Sequence, residues 1–163
     1  MKRIYQKLFL SYFLLQGFVF AHCQVPCGIY NDAVRIIQIR EDFSTIQKAM
    51  DQIDALSNQQ DATSMNQMTR WIITKEDHAS KIQEVVSDYF LTQRIKEKPK
   101  GPDYVLYVNQ TTTLHQILVA AMKCKQTVDS KHVVQGLDLI ESFIDLYFDT
   151  HGKDHIKILS GTK

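Results

Sequence analysis

Ile36-Ile37-Gln38-Ile39-Arg40-Glu41-Asp42-Phe43-Ser44-Thr45-Ile46-Gln47-Lys48-Ala49-Met50-Asp51-Gln52-Ile53 is the stretch that sets the fold. Within it Ile36, Ile39, Phe43, Ile46, Met50 and Ile53 recur at spacings of 3, 4, 3, 4 and 3. An α-helix turns once in about 3.6 residues, so this spacing lines one face with apolar side chains. Arg40, Glu41, Gln47, Lys48 and Asp51 fall off that face. Asn31 and Asp32 stand ahead of the run as N-cap candidates, and Ser57-Asn58-Gln59-Gln60 closes it.

Working outward, the same logic predicts three more helices. Asp61 or Ser64 opens the second, with Met65, Met68, Ile72, Ala79, Ile82, Val86 and Tyr89 in register. Lys75 interrupts that seam, and a lysine there is expected to run its stem along the surface and keep its ammonium in water. Lys96-Glu97-Lys98-Pro99-Lys100-Gly101-Pro102 is a breaker and loop. The third helix covers about Asp103 to Val128, with Tyr107, Leu114, Ile117, Ala121, Cys124 and Val128 on one face. Cys124 on that stripe reads as a buried, inert thiol. Asp129 or Ser130 caps the fourth helix, whose seam is Val133, Leu137, Ile140, Ile144 and Tyr147. Thr150-His151-Gly152 ends it, and residues 151–163 read as a loose polar tail. No segment alternates at period two as a strand would. The expected fold is all-α, an antiparallel four-helix bundle over residues 31–150.

Residues 1–21 stand apart from this body. Lys2, Arg3 and Lys7 make a basic start, Leu8 to Phe20 is mostly apolar, and Val19-Phe20-Ala21 ends in a small residue. That is the grammar of a removable export signal. Those thirteen residues span only about 20 Å as a helix, short of the roughly 30 Å of a bilayer core. The expectation is cleavage by signal peptidase after Ala21, no membrane attachment afterwards, and a periplasmic or extracellular home. The chain carries 19 Lys and Arg against 18 Asp and Glu. Removal of the three basic leader residues leaves 16 against 18, which argues against a nucleic-acid partner.

Cleavage there makes His22 the first residue of His22-Cys23-Gln24-Val25-Pro26-Cys27-Gly28-Ile29-Tyr30. The freed amine of His22 and the amide nitrogen of Cys23 close a five-membered chelate ring on a metal. The amide nitrogen and the Cys23 sulfur close a second. Cys27 returns another sulfur through the turn made by Pro26 and Gly28. Two nitrogens and two sulfurs in a tight, near-planar set suit nickel(II) or copper(II) better than zinc, which prefers a tetrahedron. The His22 imidazole is left to sit above the plane. The competing reading is a small Cys23–Cys27 disulfide loop with an incidental histidine, since exported thiols usually pair.

His22-Cys-x-x-Pro-Cys-Gly-x-Tyr30 resembles the nickel hook of nickel-containing superoxide dismutases, with six identities in nine contiguous positions. Ser87-Asp88-Tyr89-Phe90 and the helical body are similar to that family too, so the likeness covers residues 22–150. The resemblance implies one nickel ion per subunit, held by His22, Cys23 and Cys27, with the imidazole of His22 as axial ligand. It implies a cis bond before Pro26, an access pocket lined by Tyr30 and Tyr89, and support from Asp88. It also implies a homohexamer and a reaction converting superoxide to oxygen and hydrogen peroxide. Some family members steady the axial histidine with a glutamate and an arginine, where this chain has Ile37 and His78. Arg70 matches a basic position of the family's second helix. The expected function is therefore a nickel-dependent dismutase cycling between Ni(II) and Ni(III). The alternative is an exported metal carrier using the same hook without turnover, which has no need of pocket tyrosines.

Overall fold

The computed structural model describes residues 31–161. The leader and the hook, with His22, Cys23, Pro26, Cys27, Gly28 and Tyr30, lie outside the described residues. Five helices and no strands occur among the described residues. They are α1 (Asp32–Leu56), α2 (Ala62–Glu84), α3 (Tyr104–Gln126), α4 (Lys131–Tyr147) and α5 (Thr150–Leu159). A π-helical segment, Val85–Arg94, continues α2 without a break. The all-α expectation holds.

The helix starts follow local chemistry. Asn31 accepts from the Ala33 amide at 2.9 Å. Asp61 accepts from the amides of Thr63 and Ser64, each at 3.0 Å. Each bond satisfies an amide that has no partner inside its helix. Helix α1 packs along α2 and α3 along α4, while α2 also meets α3 and α1 also meets α4 and α5. Phe43, Ile46, Ile82, Phe90, Leu114, Ile117, Ile140 and Phe143 are fully buried between them.

Two expectations fail in α2. Met65 and Ile72 are 59% and 41% exposed, not core. The buried row instead runs through Ser64, Lys75, Ala79 and Ile82, with Met68 and Trp71 half-buried along it. Ser64, Met68, Trp71, Lys75, Ala79 and Ile82 are spaced 4, 3, 4, 4 and 3, a helical face that keeps Met68, Ala79 and Ile82 of the expected seam and has Ser64 and Trp71 in place of Met65 and Ile72. Two polar residues on the true seam conceal it. Val128, expected on the α3 face, is likewise 45% exposed beyond the end of that helix.

Lys75 does not reach for water. It is 4% exposed, and its ammonium donates to the carbonyls of Cys124 at 2.8 Å and Lys125 at 2.6 Å and to Glu76 at 2.9 Å. The last carbonyls of a helix lack partners within it and carry its negative dipole end, so the ammonium closes α3 in place of a cap. Lys75→Met keeps the stem and removes the donors. It should cost about 2–3 kcal/mol, the penalty for leaving buried carbonyls without a partner. Urea unfolding of the two proteins tests this, and a loss under roughly 0.5 kcal/mol would mean that water replaces the ammonium.

The expected loose tail is also corrected, because most of it is α5. Asp149 accepts from the Gly152 amide at 2.8 Å and starts the helix. Phe148 lies against Gly152, and Ile156 is buried in the shared core. Phe148, in extended backbone ahead of the helix, joins Gly152 and Ile156 as the three positions at which α5, which meets α1, packs. Only two of the three are apolar side chains, which is why the segment reads as polar.

Candidate functional site

The π segment positions the described residues expected at the site. The backbone amide of Ile95 donates to the Phe90 carbonyl at 2.9 Å, five residues back. Thr92 Oγ1 and Gln93 Nε2 donate to the carbonyls of Ser87 and Asp88, at 2.7 and 3.1 Å. These side chains take up carbonyls that the wider turn would leave poorly paired. Short π turns inside α-helices occur often at functional sites. Here the segment carries both Asp88 and Tyr89.

Tyr89 is 6% exposed and donates its hydroxyl to Asp32 Oδ1, at the first residue of α1. The other Asp32 oxygen accepts from Arg94 Nη2 at 2.6 Å and from the Tyr147 hydroxyl at 2.7 Å. Three side chains from two other parts of the fold thus converge on one carboxylate. Burial and then the hydrogen bond to Asp32 push the Tyr89 phenol well above the usual tyrosine value. The same causes push Tyr147 up to about 12. The guanidinium groups of Arg35 and Arg94 lie 5.7 and 5.8 Å from the Tyr89 ring centre. Phe90 meets Tyr89, Phe143 and Tyr147 edge-on, with ring centres 5.2, 5.2 and 5.8 Å apart.

A groove of about 700 Å³ runs between α1 and α2 from this cluster. Arg35, Gln38, Glu41 and Asp42 line one wall; His78, Lys81, Glu84, Val85, Asp88 and Tyr89 line the other. His78 Nδ1 sits 2.6 Å from Asp42 Oδ1. Burial pushes the Asp42 carboxyl up from its ordinary value, and the hydrogen bond to His78 opposes this. Ile37 is half-buried and is not among the lining residues, so the partner of His78 is Asp42, further along α1. Arg70 is exposed.

Of the site residues expected from sequence, the structure brings Asp88, Tyr89 and His78 to one groove. It adds Asp42 to that groove, and Asp32, Arg94 and Tyr147 to the cluster that holds the Tyr89 hydroxyl. Asp32 reads in sequence only as a helix start, and nothing local marks the other three. The described residues gather no group of three His, Cys, Asp or Glu able to hold a metal ion. Residues 22–30 carry an imidazole and two thiols, donor types that suit nickel.

A family model of nickel-containing superoxide dismutases matches residues 18–151. The chain belongs to that family. The dismutase is accordingly an oxidoreductase whose cofactor is nickel and whose substrate is superoxide. The match runs from the end of the leader through the hook and all of α1 to α4, reaching the first turn of α5. No curated protein and no solved structure matches the dismutase.

Proposed function

We propose that the mature dismutase begins at His22 and holds nickel through the amine and imidazole of His22, the amide and thiolate of Cys23, and the thiolate of Cys27. The observation that carries this is the family match, whose bounds of 18 and 151 take in all three residues. Nickel, once bound, supplies a one-electron couple between +2 and +3, which two thiolate donors bring into reach. The chain supplies the rest. The amine must be deprotonated to bind, from an ordinary value near 8. Pro26 and Gly28 turn the chain so that Cys27 faces Cys23. Tyr30 and Tyr89 flank the approach and leave room for a small anion, and Asp88 supports that wall from the π segment. One superoxide leaves as oxygen, and a second, with two protons, leaves as hydrogen peroxide.

Around this centre we infer an antiparallel bundle of α1 to α4, with α5 laid against α1, assembled as a homohexamer and exported to the periplasm or beyond. The groove beside Tyr89 supports the placement of the hook. On α1 its lining begins at Arg35, in the first turn of that helix. Its acidic side chains, Glu41, Asp42, Glu84 and Asp88, outnumber Arg35 and Lys81. The hook carries no acidic residue, and before nickel displaces its proton the amine of His22 is the cationic group it can bring to that groove.

N-terminal sequencing combined with metal analysis tests the reading. The expected outcome is a first residue of His22 and one nickel per chain in protein made with nickel supplied. A different first residue, or no stoichiometric nickel, overturns it.

A further inference from the structure

We propose that Asp32 is a positioning residue of the dismutase: it holds the Tyr89 hydroxyl and pins the root of the hook to the π segment and α4. The inference rests on the reading that Tyr89 borders the site, and it adds a residue that neither the hook nor the SDYF segment contains.

Asp32 is only two residues past Tyr30, so wherever it is fixed the hook must start. Its carboxylate takes Tyr89 on one oxygen and both Arg94 and Tyr147 on the other. Arg94 also donates through Nε, at 3.2 Å to Asp32 and 3.3 Å to the Tyr147 hydroxyl. An acidic residue in the first turn of a helix needs no partner beyond the amides and dipole it faces. This one accepts from three side chains 57, 62 and 115 residues away. Its charge is thereby spent on side chains of other elements. The consequence for Tyr89 is specific. Its hydroxyl proton is directed at Asp32, which fixes the orientation of the phenol in the groove wall.

The test uses the full mature protein as Asp32→Asn and Asp32→Glu variants, with Tyr89→Phe to assign the Tyr89 signal. Phenol ionisation is followed by ultraviolet absorbance in nickel-free protein, and kcat/KM in nickel-loaded protein. In wild type, the component lost in Tyr89→Phe should titrate well above an ordinary tyrosine. In Asp32→Asn it should move down by at least a tenfold change in dissociation constant. There kcat/KM should fall about tenfold at equal nickel content and equal helical circular dichroism, and Asp32→Glu should recover part of both. A first-turn charge acting only on the helix dipole would leave the Tyr89 titration in place. An unmoved titration in Asp32→Asn overturns the proposal whatever happens to activity. Should Asp32→Asn fail to fold, Asp32→Glu and the wild-type difference titration decide it: an ordinary Tyr89 ionisation in wild type overturns it. Dismutation absent from wild type would refute the reading of the site, while the tyrosine titration would still report whether Asp32 holds Tyr89.

Discussion

One alanine inserted ahead of His22 is expected to reduce dismutation to background and leave the helical circular dichroism unchanged. The insertion turns the amine into a peptide amide and moves the imidazole one residue into the chain. Nickel would then have to displace the proton of a second amide besides that of Cys23, and an amide gives up its proton far less readily than an ammonium with an ordinary value near 8, so the first chelate ring is lost at neutral pH. The thiols of Cys23 and Cys27 remain, yet without the amine the four-donor set is incomplete. The fold is insulated from the change, because α1 begins only at Asp32 with its own cap from Asn31. Nickel content and activity should therefore fall together, with the melting temperature of the helical body preserved. Dismutation retained in this variant would show that the amine is not a ligand.

The second large effect lies in the core, where Phe43 of α1 fits a notch in α4. Phe43 is wholly buried, and a Cβ built on Gly136 would stand 2.3 Å from its ring Cζ and 2.4 Å from Cε1. The ring occupies the space that any other residue at 136 would fill. Phe43→Ala should cost about 3–5 kcal/mol, from lost burial and the cavity left behind. Gly136→Ala should cost about 1–3 kcal/mol through overpacking, although alanine is otherwise the better helix former by about 1 kcal/mol. Combined, the two should not add. With the ring gone, Gly136→Ala should become neutral or stabilising. A double-mutant cycle by denaturant unfolding reads this directly, and additive losses would show that the two positions are not in contact.

These cases mark what a sequence reveals and what it withholds. The seam of α1 is legible because Ile36, Ile39, Phe43, Ile46 and Met50 are all apolar and all buried, with Asp42 the one polar residue buried beside them. In α2 the buried face contains Ser64 and Lys75, so an apolar pattern points one residue aside to Met65 and Ile72. The period of a helix is visible in sequence, but its rotation is ambiguous when polar groups find partners inside. Lys75 finds its partners on α3, about fifty residues away, and no local rule anticipates that. The α5 helix was missed for a related reason: its docking rests on a glycine, a phenylalanine and one isoleucine, too few for a periodic signal. At the site the split is similar. The hook's chemistry is legible because chelation depends on atoms adjacent along the chain, and the family resemblance rests on those same residues. The Asp32 cluster is assembled across the fold and could not be read from spacing. His78 stands in sequence only as a departure from the family's arginine, and its partner Asp42 emerges when α1 and α2 are laid side by side.

The burial of Cys124 has a practical consequence. Its sulfur is fully enclosed, and burial pushes the thiol up to about 11, so at neutral pH it is neither accessible nor ionised. A thiol-specific colour reagent applied to the native protein therefore overlooks it and reports on Cys23 and Cys27 alone. Two equivalents mean an open, reduced hook; none means a hook closed by metal or by oxidation, and a chelator followed by a second count separates those two. The third cysteine works as a built-in reference that appears only on unfolding, giving each sample its own measure of protein concentration.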